Sequence, residues 1–146
     1  MERTKELRIL LFLIVIFIPG VIFGQCDTDL FLDRCASNLD TYNFIKSFSV
    51  NVSPRKKVNP EYSYVFSKGS TYKIIVCDQE AAGGRMIVNL YNRDHNLIAS
   101  TYDEKADKYY SDLLYPCEAT GVYYISATFK GSKGGCGLCI LGFNKE

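Results

Sequence analysis

The chain has 146 residues, with 17 Lys and Arg against 16 Asp and Glu, and six cysteines. A balance this close to neutral lacks the basic excess with which proteins grip nucleic acid or an anionic membrane. Six cysteines in this length fall below the density of a small disulfide scaffold, so bridges here reinforce a hydrophobic core and do not replace one.

Residues 1–24 read as an export signal. Arg3, Lys5 and Arg8 precede the apolar run Ile9 to Ile18, and the breaker pair Pro19-Gly20 comes before Val21-Ile22-Phe23-Gly24. Cleavage is expected after Gly24. An uncleaved membrane anchor is the rival, because Leu7 to Phe23 is almost continuously apolar. A lipid anchor on Cys26 is disfavoured by Gln25, where a lipobox has a small residue. What remains, residues 25–146, has a formal charge near zero and is expected to form one β-sandwich domain, with residues 25–42 as a disulfide-tied amino-terminal segment. The dense basic cluster Arg55-Lys56-Lys57 reads as a solvated loop.

All six cysteines, Cys26, Cys35, Cys77, Cys117, Cys136 and Cys139, lie beyond the export segment, and an even number in an exported chain implies pairing. Loop entropy ranks the closures weakly: about 2.7 kcal/mol for Cys26 with Cys35, about 4 for Cys77 with Cys117, and about 2 for Cys136 with Cys139. The local pair Cys26 with Cys35 is the expected bridge. It would tie down a loose amino terminus.

Asp27 to Leu39 has the only helical texture, with an Asp or Thr N-cap and Leu30, Phe31 and Ala36 sharing part of a face. From Asn43 the chain becomes short β-rich runs. Phe44 to Val52 places Phe44, Phe48, Val50 and Val52 on one parity, and Tyr62 to Phe66 and Tyr72 to Cys77 follow. A turn at Gly83-Gly84 leads to Arg85 to Tyr91. A polar turn containing His95 leads to Leu97 to Tyr102, and a charged loop around Asp103, Glu104 and Asp107 leads to Tyr109 to Tyr115. Gly121 to Phe129 and Leu138 to Phe143 close the chain. About eight strands with no long helix between them predict an all-β fold, an antiparallel β-sandwich behind a short helical or irregular segment.

The order Tyr64-Val65-Phe66-Ser67-Lys68-Gly69-Ser70-Thr71-Tyr72, then Val88-Asn89-Leu90-Tyr91-Asn92 with Asn96-Leu97-Ile98-Ala99-Ser100, then Gly121-Val122-Tyr123-Tyr124-Ile125, resembles bacterial pre-peptidase C-terminal domains. It is also similar to the related GOLD-type jelly rolls. The resemblance spans Glu61 to Phe143 and implies a jelly-roll sandwich, used as an accessory module that binds something or assists secretion. The cysteines are not part of that pattern.

Cys136-Gly137-Leu138-Cys139 matches the C-x-x-C spacing of thiol-disulfide enzymes, in which a lowered thiol pKa and a second sulfur support exchange. Here the motif follows a glycine-rich turn and enters a strand, where no helix dipole lowers the pKa. Zinc lacks ligands, since a second C-x-x-C is missing and His95 is the only histidine. A Ser-His-acid triad lacks a G-x-S-x-G elbow. Asp103, Glu104 and Asp107, with Asp78 and Asp94, supply oxygen donors of the kind calcium takes, but at a spacing that fits no calcium loop. Asn51-Val52-Ser53 is a nominal glycan acceptor followed unfavourably by Pro54.

The residues therefore predict an exported binding or interaction module without catalysis, cofactor or metal. Its expected partners are carbohydrate or an extracellular or envelope protein, and not nucleic acid. Tyr109, Tyr110, Tyr123 and Tyr124 are the candidate stacking surfaces. Two alternatives stay open: a secreted thiol-disulfide oxidoreductase using Cys136 and Cys139, and a secreted inhibitor or toxin-like protein.

Overall fold

The computed structural model of the protein describes residues 26–53, 59–78, 85–132 and 134–145. The expected export signal, the Arg55-Lys56-Lys57 cluster and the Gly83-Gly84 turn lie outside the described residues.

Helix α1 spans Thr28–Cys35 and tightens into a 3-10 turn over Ala36–Leu39. It starts at Asp27, whose carboxylate accepts from the backbone N–H groups of Asp29 (3.2 Å) and Leu30 (3.3 Å), satisfying donors that have no partner inside the helix. It stops at Asp40, which adopts a positive φ of 53°. Phe31, Cys35 and Leu39 recur every fourth residue and form the buried stripe. Leu30, expected on that face, is 65% exposed.

The strands are β1 (Asn43–Val52), β2 (Glu61–Phe66), β3 (Ser70–Asp78), β4 (Met86–Tyr91), β5 (Leu97–Ser100), β6 (Tyr102–Asp103), β7 (Lys108–Tyr109), β8 (Asp112–Pro116), β9 (Gly121–Phe129) and β10 (Gly135–Lys145). The first sheet has the order β1-β10-β3-β8, the second β2-β9-β4-β5, and β6 with β7 forms a separate ribbon. Every pairing is antiparallel. Successive long strands alternate between the two four-stranded sheets, which is a jelly roll, as the sequence led us to expect.

Two predicted runs are broken. The run Leu97 to Tyr102 divides at Thr101, a buried residue whose backbone N–H donates to the Val88 carbonyl (2.9 Å) while its hydroxyl accepts from the Val88 N–H (2.8 Å). Thr101 thus completes the ladder of β4 with a side chain and lets the backbone leave the sheet. The run Tyr109 to Tyr115 divides for the same excursion, which is the β6–β7 ribbon.

Alternation fills the interior: Tyr123, Ile125, Ala127 and Phe129 of β9 meet Val88 and Leu90 of β4, Phe48 and Val50 of β1, and Tyr72 and Ile74 of β3. The predicted parity of β1 fails at its start. A register shift between Phe44 and Lys46 reverses the faces, so Phe44 is 52% exposed and Ile45 packs on the core. At the free edge of β1 the Tyr62 hydroxyl donates to the Ser49 carbonyl, occupying an acceptor that the ladder leaves open.

A second cluster lies on the outer side of the first sheet, where Phe31, Cys35 and Leu39 cover Ile75, Cys77, Leu138 and Ile140. Central strands β3 and β10 are thereby buried on both faces. Gly142 allows Leu39 to lie flat, because a Cβ there would meet Leu39 Cδ2 at 2.5 Å and the Asn43 carbonyl oxygen at 3.1 Å. At the far end of the segment Lys73 Nζ donates to the Asn38 carbonyl (2.6 Å) and to Asp40 (2.9 Å), with Asp112 at 3.6 Å. Burial works against this ammonium, but the hydrogen bond and charge of Asp40, aided by Asp112, outweigh it and raise its pKa.

The expected Cys26–Cys35 bridge is not formed. The pairs are Cys26–Cys136, with Cα atoms 5.5 Å apart, and Cys35–Cys77, at 6.2 Å. Helix α1 itself forbids the local pair: Thr28 to Cys35 rises about 11 Å, beyond the roughly 7 Å a disulfide spans. Cys117 and Cys139, also expected to be bridged, are buried thiols. Cys117 lies beside Ser70, whose carbonyl accepts from its N–H, whereas Cys139 pairs with Val76. Six positions along β3 separate them by about 20 Å. The amino-terminal segment is therefore bolted to the sheet and not to itself.

Candidate functional site: a tyrosine-walled cleft

The β6–β7 ribbon presents two half-buried tyrosines, Tyr102 and Tyr109. Its turn is set by Asp103, whose carboxylate accepts from the N–H groups of Lys105 (2.9 Å) and Ala106 (3.2 Å), and by Asp107 at a φ of 48°. Tyr102 and Tyr109 pair across it with ring centroids 4.6 Å apart. Lys130, just past β9, donates to the Tyr102 hydroxyl (2.7 Å) and to Asp107 (2.5 Å), and the same hydroxyl donates to Asp107 (2.7 Å). Bonding to Lys130, then to Tyr102, holds the Asp107 carboxyl below its ordinary range, and Asp107 with Tyr102 raises the Lys130 ammonium.

Beside this ribbon is a cleft of about 430 Å³ between the end of α1, the end of β3 and the start of β4. Val76, Met86 and the Cys35–Cys77 bridge line its apolar part. Tyr109, Tyr110 and Ser111 form one wall, and Arg34, Asp78 and Arg85 supply charge. Tyr110 is 42% exposed. Asp78 accepts from the Met86 N–H (2.6 Å), which draws β4 against β3. A second hollow, of about 330 Å³, lies at the opposite end of the sandwich between Asn92–Asp94 and Glu118–Tyr123.

No protein-family profile matches the chain, and no curated protein is similar to it. Among solved structures it is similar to the pre-peptidase C-terminal domain of a collagenase from Bacillus anthracis. Identity is 13%, the TM-score is 0.49, and the match covers 70% of this chain and 90% of that one.

Of the four candidate stacking residues, the structure brings Tyr109 and Tyr110 together on the cleft. Tyr123 faces inward instead, 5% exposed, with its hydroxyl donating to the Ala119 carbonyl (2.8 Å). Tyr124 faces outward as alternation requires, but His95 stacks on it at 4.2 Å. His95 also approaches Glu61, with Nε2 3.6 Å from Oε1.

The C-x-x-C motif does not assemble as a redox pair. An odd offset along β10 turns Cys136 toward α1 and Cys139 into the sandwich, about 10 Å apart. Cys136 is bonded to Cys26, and burial pushes the Cys139 thiol up to about 12. Gly137 between them is a packing position, since a Cβ there would lie 2.9 Å from both the Cys77 carbonyl oxygen and Met86 Sδ. The oxygen donors considered for calcium disperse to separate tasks: Asp103 to its turn, Asp107 to Lys130, Asp78 to Met86 N–H and Asp94 to Arg93. No three metal-ligating side chains converge among the described residues.

Arg34, Arg85, Tyr102 and Lys130 had no distinguishing mark in the sequence. They come from four separate stretches, and only the fold makes them neighbours. The nearest signal was the spacing of Tyr102 and Tyr109 around a charged turn, which is that of a small hairpin.

Proposed function

We propose that the protein is an exported, non-catalytic binding module that takes carbohydrate in the cleft walled by Tyr109 and Tyr110. One observation carries the reading: a concave site in which an exposed ring and a half-buried ring stand next to fixed polar groups above an apolar floor. Ring-shaped, hydroxyl-rich ligands are held by that combination of aromatic surface and convergent polar groups. Export is supported by the signal-like order of residues 1–24 and by the two bridges, which persist in oxidising compartments. The absence of catalysis is supported by what the chemically suggestive residues are doing, since Cys136 is bonded and Cys139 is a buried, fully protonated thiol at neutral pH.

Titration calorimetry with a panel of oligosaccharides tests the reading. Tyr110→Ala is expected to weaken binding of any saccharide that binds by about fivefold to tenfold while leaving the unfolding midpoint within about 1 °C, because the side chain is exposed. A panel without a single binder, or a Tyr110→Ala protein that binds as the parent does, would overturn it.

A further inference from the structure

We infer that Lys130 is the positioning residue of the cleft: from outside the lining, it latches the β6–β7 ribbon so that Tyr109 and Tyr110 stand as a fixed wall. The inference rests on the carbohydrate reading above and concerns how that site is kept in shape. Strands β6 and β7 have two residues each, and a ribbon that short does not hold its shape in water unaided. Its base is held by the sheets. Thr101 is bonded to Val88 of β4, the Tyr110 N–H donates to the Thr101 carbonyl (2.9 Å), and the Ser111 carbonyl accepts from the Val76 N–H of β3 (2.8 Å). Its turn needs a separate tie, because Asp103 uses its carboxylate on the local N–H groups of Lys105 and Ala106.

Lys130 supplies that tie. Its Nζ donates to the Asp107 carboxylate (2.5 Å) and to the Tyr102 hydroxyl (2.7 Å), which itself donates to Asp107 (2.7 Å), and it lies 4.7 Å from the Tyr102 centroid and 5.6 Å from that of Tyr109. One ammonium thus engages both strands and the turn, with its charge matched by Asp107 and its flank against two rings. The other end of the latch is rooted beside the cleft floor. The Lys130 N–H donates to the Arg85 carbonyl (3.4 Å), and the preceding residue, Phe129, pairs with Met86, which lines the cleft. The Arg85 guanidinium, 5.2 Å from the Tyr109 centroid, adds a contact from the same corner. Among the described residues that line the cleft, neither Lys130 nor Asp107 appears. The tie between the tyrosine wall and the floor is therefore an exposed, charge-assisted contact, which added salt screens.

Titration calorimetry with neutral cello-, xylo-, malto- and mannohexaose, together with amide exchange of Tyr110 followed by NMR, tests this on the intact protein. Lys130→Met keeps the aliphatic stem and removes the ammonium. It is expected to speed Tyr110 exchange by about threefold and to weaken any hexaose that binds by about threefold to fivefold, the scale of an exposed charged pair. Lys130→Arg should restore both, and adding Asp107→Asn to Lys130→Met should produce no further loss. Because these ligands are uncharged, about 0.5 M salt should weaken the parent protein toward the level of Lys130→Met and leave that variant unmoved. Unchanged exchange in Lys130→Met, binding as tight as the parent's, a failed Arg rescue or salt-independent binding by the parent each overturns the latch and leaves the carbohydrate reading standing. If no hexaose binds the parent, the carbohydrate reading falls, and Tyr110 exchange in Lys130→Met alone then decides whether Lys130 holds the ribbon.

Discussion

Replacing Cys35 and Cys77 together by serine is expected to lower the free energy of unfolding by about 4 kcal/mol. The two residues are 42 positions apart, and the bridge removes from the unfolded chain the freedom of that loop. The longer Cys26–Cys136 closure, over 110 positions, overlaps it, so the two contributions do not simply add. The Cys35–Cys77 bridge also has the larger structural consequence. It lies inside the cluster that joins α1 to β3 and β10, and its loss leaves the helix held by the apolar contacts of Phe31 and Leu39, with the Cys26–Cys136 bridge before it and the Lys73 contacts to Asn38 and Asp40 after it. Urea unfolding followed by circular dichroism measures the loss, and proteolysis at α1 reports whether the helix detaches first. A decrease below about 1 kcal/mol would mean that the helix needs no bolt.

Phe66→Ala should cost about 4–5 kcal/mol, the upper part of the range for an aromatic core truncation. Phe66 is 0% exposed and lies between Tyr72, with centroids 3.8 Å apart, and Tyr123, at 4.7 Å. Those rings are fixed at their far ends. The Tyr72 hydroxyl accepts from the Ser67 N–H (2.8 Å), and the Tyr123 hydroxyl donates to the Ala119 carbonyl. To close over the hole either ring would have to give up a hydrogen bond, so the cavity persists and the lost contacts are not recovered. Denaturant unfolding at two protein concentrations is the measurement. A loss under about 2 kcal/mol would show that the tyrosines collapse inward, and that their hydroxyl anchors are weaker than described.

Much of the architecture was legible from local pattern. In Gly121 to Phe129 strict alternation places every second side chain inward, and the structure follows it. The jelly-roll class follows from strand number and spacing, with no long helix between strands. The misreadings have specific causes. A single register shift near Ile45 reversed the parity of β1 at its start, and a hydrophobic pattern cannot display an inserted residue that is itself apolar. The runs Ile74 to Cys77 and Leu138 to Leu141 are apolar without alternation, which is the mark of strands buried on both faces. Such a run shows that something covers the outer face, but it does not name α1. Disulfide partners were illegible because Cys26 and Cys35 are near in sequence and are held apart by the helix between them. The cleft was half legible: Tyr109 and Tyr110 stood out as adjacent aromatics, whereas Arg34 and Arg85 become neighbours only through Cys35–Cys77 and the hydrogen bond from the Met86 N–H to the Asp78 carboxylate.

The account depends on α1 being fixed to the first sheet, since that attachment forms one side of the cleft and takes Cys136 out of redox chemistry. Disulfide mapping of the protein, alkylated without reductant before and after unfolding, tests this directly. Linked peptides should join Cys26 to Cys136 and Cys35 to Cys77, and Cys117 and Cys139 should accept the alkylating reagent only after unfolding. A peptide joining Cys26 to Cys35, or Cys136 to Cys139, would contradict it.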